Sequence, residues 1–117
     1  LSLHDALPIW EYEYCLENGV LTIAVIRGKR RRKTAHTLMM QDMEVIAPNW
    51  HEAVAKYRKN GGTEKLKKFD YTSYDDNIPY YTMIVYENKE KIKLLLDLND
   101  SMLEAVKRVY PQKVYMR

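Results

Sequence analysis

Arg27-Gly28-Lys29-Arg30-Arg31-Arg32-Lys33 puts six cations within seven residues. At that density guanidinium and ammonium groups attract polyanions. Near a negative bilayer each Lys or Arg contributes about 1 kcal/mol, and along a nucleic-acid backbone such groups release counterions. The run also has two plainer uses: charges at a strand end discourage edge-to-edge pairing, and cations beside a membrane span hold that end in the cytoplasm. Arg27, Lys29, Arg30, Arg31, Arg32 and Lys33 are therefore the expected contacts for anionic lipid or phosphate. Nucleic acid is the rival ligand, although no helix-turn-helix, zinc-finger or RNP-type aromatic motif accompanies the run.

The other reactive residue types are scattered. His36 and His51 have no cysteine or carboxylate at ligand spacing, so no metal site is expected. Cys15, next to Tyr14, reads as a buried structural thiol rather than a nucleophile. Asp75-Asp76 falls in a turn-rich stretch, Ser73 to Asn77, and suits turn chemistry better than an acid/base pair. There is no phosphate-cradling glycine loop and no nucleophile elbow. No catalytic residue and no cofactor is expected.

Those residues must be carried by strands. Asn18-Gly19 between apolar runs is a strong hairpin signal, because both residues tolerate the positive φ of a type I′ turn. Glu11 to Glu17 and Val20 to Ile26 should pair antiparallel, with the basic run at the far end. Val20 to Ile26 is apolar on both faces apart from Thr22, as in a central strand, and Gly28 reads as a bulge or bend. Lys33 to Met40 and Met43 to Ala47 read as further strands. Trp50 to Asn60 reads as a short helix capped by Asn49 and closed by Gly61-Gly62. Leu66 to Thr72 alternates weakly, whereas Tyr80 to Tyr86 and Ile92 to Leu98 read clearly as strands, joined through Glu87 to Lys91 as a hairpin loop. Ser101-x-x-Glu104 is a capping box, with Asn99 and Asp100 as rival caps. Met102, Leu103, Val106, Val109 and Tyr110 form one apolar helical stripe, which Pro111 ends.

The expected fold class is therefore α+β: a bent antiparallel sheet or partly open barrel capped by one C-terminal amphipathic helix. The 117 residues leave room for one domain. Ten tyrosines against one phenylalanine favour half-buried sheet faces, and the six methionines read as core filler. A single cysteine rules out a disulfide framework. No apolar run reaches the ~18 residues of a membrane-spanning helix. Leu1 to Ile9 resembles the translation of a sequencing adapter, and no initiator Met precedes it. Residues 1–9 are thus expected to be artefactual and 10–117 to form the domain, with an N-terminal membrane segment missing.

Glu11-Tyr12-Glu13-Tyr14, Asn18-Gly19, Lys29 to Lys33 and Asn99 to Lys107 resemble an uncharacterised family of small Gram-positive bacterial membrane proteins. The resemblance covers Glu11 to Arg117 and is weakest over Trp50 to Asn77. It implies a bacterial pleckstrin-homology-like (PH-like) domain facing the cytosol behind two transmembrane helices. Those helices are absent from this sequence. The family has no assigned activity, so the resemblance implies no catalytic residue. The partners it leaves open are an anionic membrane surface or another protein.

Overall fold

Asn18 and Gly19 adopt φ of 52° and 76°, so the first turn is the type I′ hairpin that their side chains favour. It joins β1 (Trp10–Glu17) to β2 (Val20–Arg27), and β2 pairs in turn with β3 (Arg31–Met39). β2 is the middle strand of this antiparallel sheet, as its two apolar faces require. The computed structural model describes residues 10–28, 31–58, 60–72 and 79–116. The segment 1–9, Lys29, Arg30 and the turn at Ser73 to Asn77 with Asp75-Asp76 lie outside the described residues.

The second sheet contains β4 (Met43–Pro48), β5 (Lys67–Tyr71), β6 (Tyr81–Glu87) and β7 (Glu90–Leu96), in the order β4-β6-β7-β5. β5 lies parallel to β7, and the other pairs are antiparallel. The β6–β7 connection is a two-residue turn in which Asn88 and Lys89 both take positive φ, 52° and 68°.

Alternation along the strands sends one row of each sheet into a shared core. Leu21, Ile23 and Leu38 meet Met83, Val85, Leu94 and Leu96 there. The helix α1 (Asp100–Val109) adds Leu103 and Val106 to the same cluster. Asn99 caps it, accepting from the Met102 amide at 2.8 Å, so this residue and not Ser101 forms the cap. Val109 ends the stripe at the surface, 67% exposed. Beyond the helix, Val114 bridges Ile46, which donates to the Lys113 carbonyl and accepts from the Tyr115 amide, both at 2.8 Å, along the outer edge of β4. The expected α+β arrangement is present as two sheets that do not close, with one C-terminal helix.

Gly28 is the bend of the two readings, a turn residue at φ 62° just past β2, and a bulge lies instead at Ala35, the extra residue between the pairs Ile23–His36 and Ala24–Thr34. Two local expectations are corrected. The helix expected over Trp50 to Asn60 is a six-residue 3-10 helix, Glu52–Tyr57. Asn49 cannot cap it because its side chain accepts from the Thr82 hydroxyl at 3.2 Å; His51 caps it instead, accepting from the Ala53 amide at 3.0 Å. Arg58 is extended and its guanidinium folds back onto the Trp50 and His51 carbonyls, which ends the helix early. Cys15 is exposed, since β1 turns Tyr12, Tyr14 and Leu16 inward and leaves Cys15 outside with the glutamates.

Candidate functional site

The β2–β3 ladder sets the basic run in register. Arg27 stands opposite Arg31, Ile26 opposite Arg32 and Val25 opposite Lys33. Facing partners share a side of the sheet, so Arg27, Arg31 and Lys33 lie on one side and Arg32 on the other. All four are exposed. Arg32 donates to Glu13 at 2.7 Å, but with both side chains about half in water that pair is worth ~0–1 kcal/mol. Like charges directly across a ladder are destabilising, and Arg27 against Arg31 is such a pair.

His36 and His51 are structural. Besides capping the 3-10 helix, His51 packs its ring 4.8 Å from that of Tyr115. His36 is turned inward by the Ala35 bulge and joins the two sheets. Its Nε2 lies 2.6 Å from Glu87 Oε2 and its Nδ1 2.8 Å from the Tyr71 hydroxyl. Glu87, distant in sequence, is the carboxylate partner that a search for local ligand spacing misses. Tyr14 extends this seam, its hydroxyl donating to the Tyr71 carbonyl and accepting from the Asp97 amide. Burial pushes both the Tyr14 and the Tyr71 phenol above their ordinary range, which keeps them neutral hydrogen-bonding groups rather than nucleophiles. Among the described residues, no three His, Cys, Asp or Glu side chains gather as a metal cage.

A second cationic region was not foreseen. On the outer face of the β4–β7 sheet, Val45, Ala47, Ile84, Val54 and Tyr57 form a smaller core under the 3-10 helix. Tyr57 divides two environments there. Its hydroxyl donates to Glu44 and accepts from Lys91 at 3.1 Å, and Lys91 also pairs with Glu44 at 3.2 Å. Burial would raise the Glu44 carboxyl, but bonds from Tyr57 and Lys91 outweigh it and hold Glu44 below the usual range. Its own burial and the bond to Glu44 keep the Tyr57 phenol raised.

On the other side of Tyr57 lies a cleft of about 310 Å³ with an adjoining hollow of about 450 Å³. Arg58, Lys68 and Lys93 line both, and Lys65 lines the second. Among the described residues no carboxylate lines either. Lys93 is buried, 9% exposed, and donates to the Tyr57 carbonyl at 2.7 Å. Desolvation pushes its ammonium below the usual lysine range, and Lys68, directly opposite on β5, adds to the shift. The available signal was Lys93 itself, a lone cation in the apolar run Ile92 to Leu96.

Two unclosed sheets sharing a core with one C-terminal helix define the class, a PH-like domain. Within that class, residues 9–116 match the Bacterial PH-like domain (DUF6106) family, and the chain belongs to it. No curated protein and no solved structure matches the chain. No helix among the described residues is long and apolar enough to cross a membrane.

Proposed function

We propose that this PH-like domain is a non-enzymatic, cytosol-facing module of a membrane-anchored protein, and that its β2–β3 end rests on an anionic bilayer. The observation that supports this most is the register of Arg27 against Arg31, with Arg32 and Lys33 exposed beside them at the start of β3. Like charges face each other across that end of the ladder. Against a negative surface the same charges are neutralised, each contributing about 1 kcal/mol. Exposed residues at a strand end bury little, so the cost of keeping them there is small.

Replacing Arg31, Arg32 and Lys33 together with Gln tests the reading in a co-sedimentation assay with anionic vesicles at physiological salt. Folding should be intact, vesicle binding should fall, and neutral vesicles should bind neither form. Binding by the unmodified domain should weaken steeply with added salt, because screening acts within ~10 Å at 0.1 M. Equal vesicle binding by both forms contradicts the proposal. A preference for duplex or single-stranded nucleic acid, lost in the same variant, replaces the bilayer with a phosphate backbone.

A further inference from the structure

The outer-face cleft is independent of the basic hairpin, and its charges are poorly balanced. Lys93 stands opposite Lys68 across the β5–β7 pair and opposite Ile84 across β6–β7. A buried ammonium is costly unless it is paired, and a like charge across the ladder adds to that cost. Among the described residues its one hydrogen-bond partner is the Tyr57 carbonyl, and an ammonium has three protons to give. Arg58 spends guanidinium donors on two backbone carbonyls, and no ion pair engages Arg58, Lys65, Lys68 or Lys93 among the described residues. Asp70, the carboxylate beside this row on β5, is held by the Thr72 amide at 3.0 Å and the Thr72 hydroxyl at 2.7 Å. Lys91, across Tyr57, is already matched by Glu44 and Glu64. Among the described residues the imbalance is therefore local to the cleft.

From this we infer that the cleft between the Glu52–Tyr57 helix and strands β5, β6 and β7 binds a phosphomonoester, with Arg58, Lys68 and Lys93 as its charge contacts. A monoanion would leave most of the charge uncompensated. A phosphomonoester carries nearly two negative charges at neutral pH and three terminal acceptors, which match converging ammonium and guanidinium groups. The cleft, about 310 Å³, lies at the small end of the ~300–1,000 Å³ typical of ligand sites, enough for a phosphate and a modest organic group. Val54 and Leu95 supply an apolar wall for that group.

The test is a titration of the whole chain with inorganic phosphate, followed by backbone amide shifts and by the unfolding midpoint, against sodium chloride at matched ionic strength. Saturable shifts at Lys68, Thr82, Lys93 and Leu95, and a midpoint that rises with phosphate alone, are expected. Lys68→Gln changes an exposed residue and should weaken the response about tenfold, as loss of one charge-assisted contact implies. Lys93→Met should abolish the response, and if that variant fails to fold Lys68→Gln carries the test. Shifts that do not saturate, that match those in chloride, or that are unchanged in Lys68→Gln overturn the proposal. The source of the phosphate is read with vesicles of phosphatidic acid and of phosphatidylglycerol at equal surface charge. A preference for phosphatidic acid that disappears in Lys68→Gln assigns a lipid headgroup. Equal vesicle binding by both forms, together with saturable phosphate binding, assigns a soluble phosphomonoester.

Discussion

The seam between the sheets and the cleft on the outer face contain similar polar chemistry put to opposite ends. In the seam, Tyr14, His36, Tyr71 and Glu87 satisfy one another, and each bond ties one sheet to the other. In the cleft, cations meet a carbonyl or another cation and, among the described residues, no carboxylate. A network whose members are all satisfied fixes a structure, whereas one that lacks a counter-charge costs stability until something supplies it. Tyr57 marks the boundary, with a balanced cluster at its hydroxyl and an unbalanced one at its carbonyl.

The contrast is sharpest where substitutions act on one region and not the other. Leu103 is fully buried in the core that the two sheets share, not in the smaller core below the cleft. Leu103→Ala should therefore lower stability by about 2–5 kcal/mol in urea unfolding. The phosphate response of the folded fraction should be unaffected; a small stability loss would mean that α1 does not dock. Tyr14→Phe should cost about 1–3 kcal/mol, because the Tyr71 carbonyl loses its donor and the Asp97 amide its acceptor. Its effect should be the same with and without phosphate, and a phosphate-dependent loss would merge the two regions.

Glu44 gives a pH test on the balanced side of Tyr57. A carboxyl lowered in the folded state adds stability that is fully present above its ordinary 4.5 and is lost as pH falls through the folded value. Unfolding midpoints of the unmodified chain and Glu44→Gln should thus differ at neutral pH and converge on acidification below 4.5. A gap that is constant with pH would show that the Glu44 charge is not engaged. The smallest expected effect lies in the β6–β7 turn, two residues beyond Glu87 of the seam. Lys89 holds φ of 68°, where a Cβ is strained, and Lys89→Gly should stabilise the chain by about 0.5–1 kcal/mol in thermal unfolding. No gain would mean that the turn relaxes in solution.

Local signals were readable where a residue's own stereochemistry decides the outcome. Asn18-Gly19 set the first turn, alternation set the faces of β1, and the stripe through Leu103 and Val106 set the docking side of α1. The basic run was legible as a cluster and its ladder position followed from the hairpin. Contacts between distant segments were not legible. The parallel pairing of β5 with β7 has no local signature, and the strand's own alternation is weak. The Ala35 bulge, which aims His36 at Glu87 and Tyr71, depends on tertiary pairing. Cys15 sits between Tyr14 and Leu16, so the strand period and not the general preference of cysteine for burial decides its exposure. The cleft has no local signature, since its cations come from β5, β7 and the segment after the 3-10 helix.

The unbalanced cleft is tested most directly by comparing the unfolding free energy of Lys93→Met with that of the unmodified chain in chloride and in phosphate at equal ionic strength. Removing Lys93 relieves the desolvation of its ammonium and its repulsion from Lys68. It also removes a donor to the Tyr57 carbonyl, a loss of about 1–3 kcal/mol that water in the cleft can partly offset. The charge relief should win, so Lys93→Met should be more stable than the unmodified chain by about 1 kcal/mol in chloride, and phosphate should narrow or reverse that gap. A Lys93→Met variant less stable in chloride, with the same deficit in phosphate, would contradict the account and make Lys93 an ordinary structural lysine.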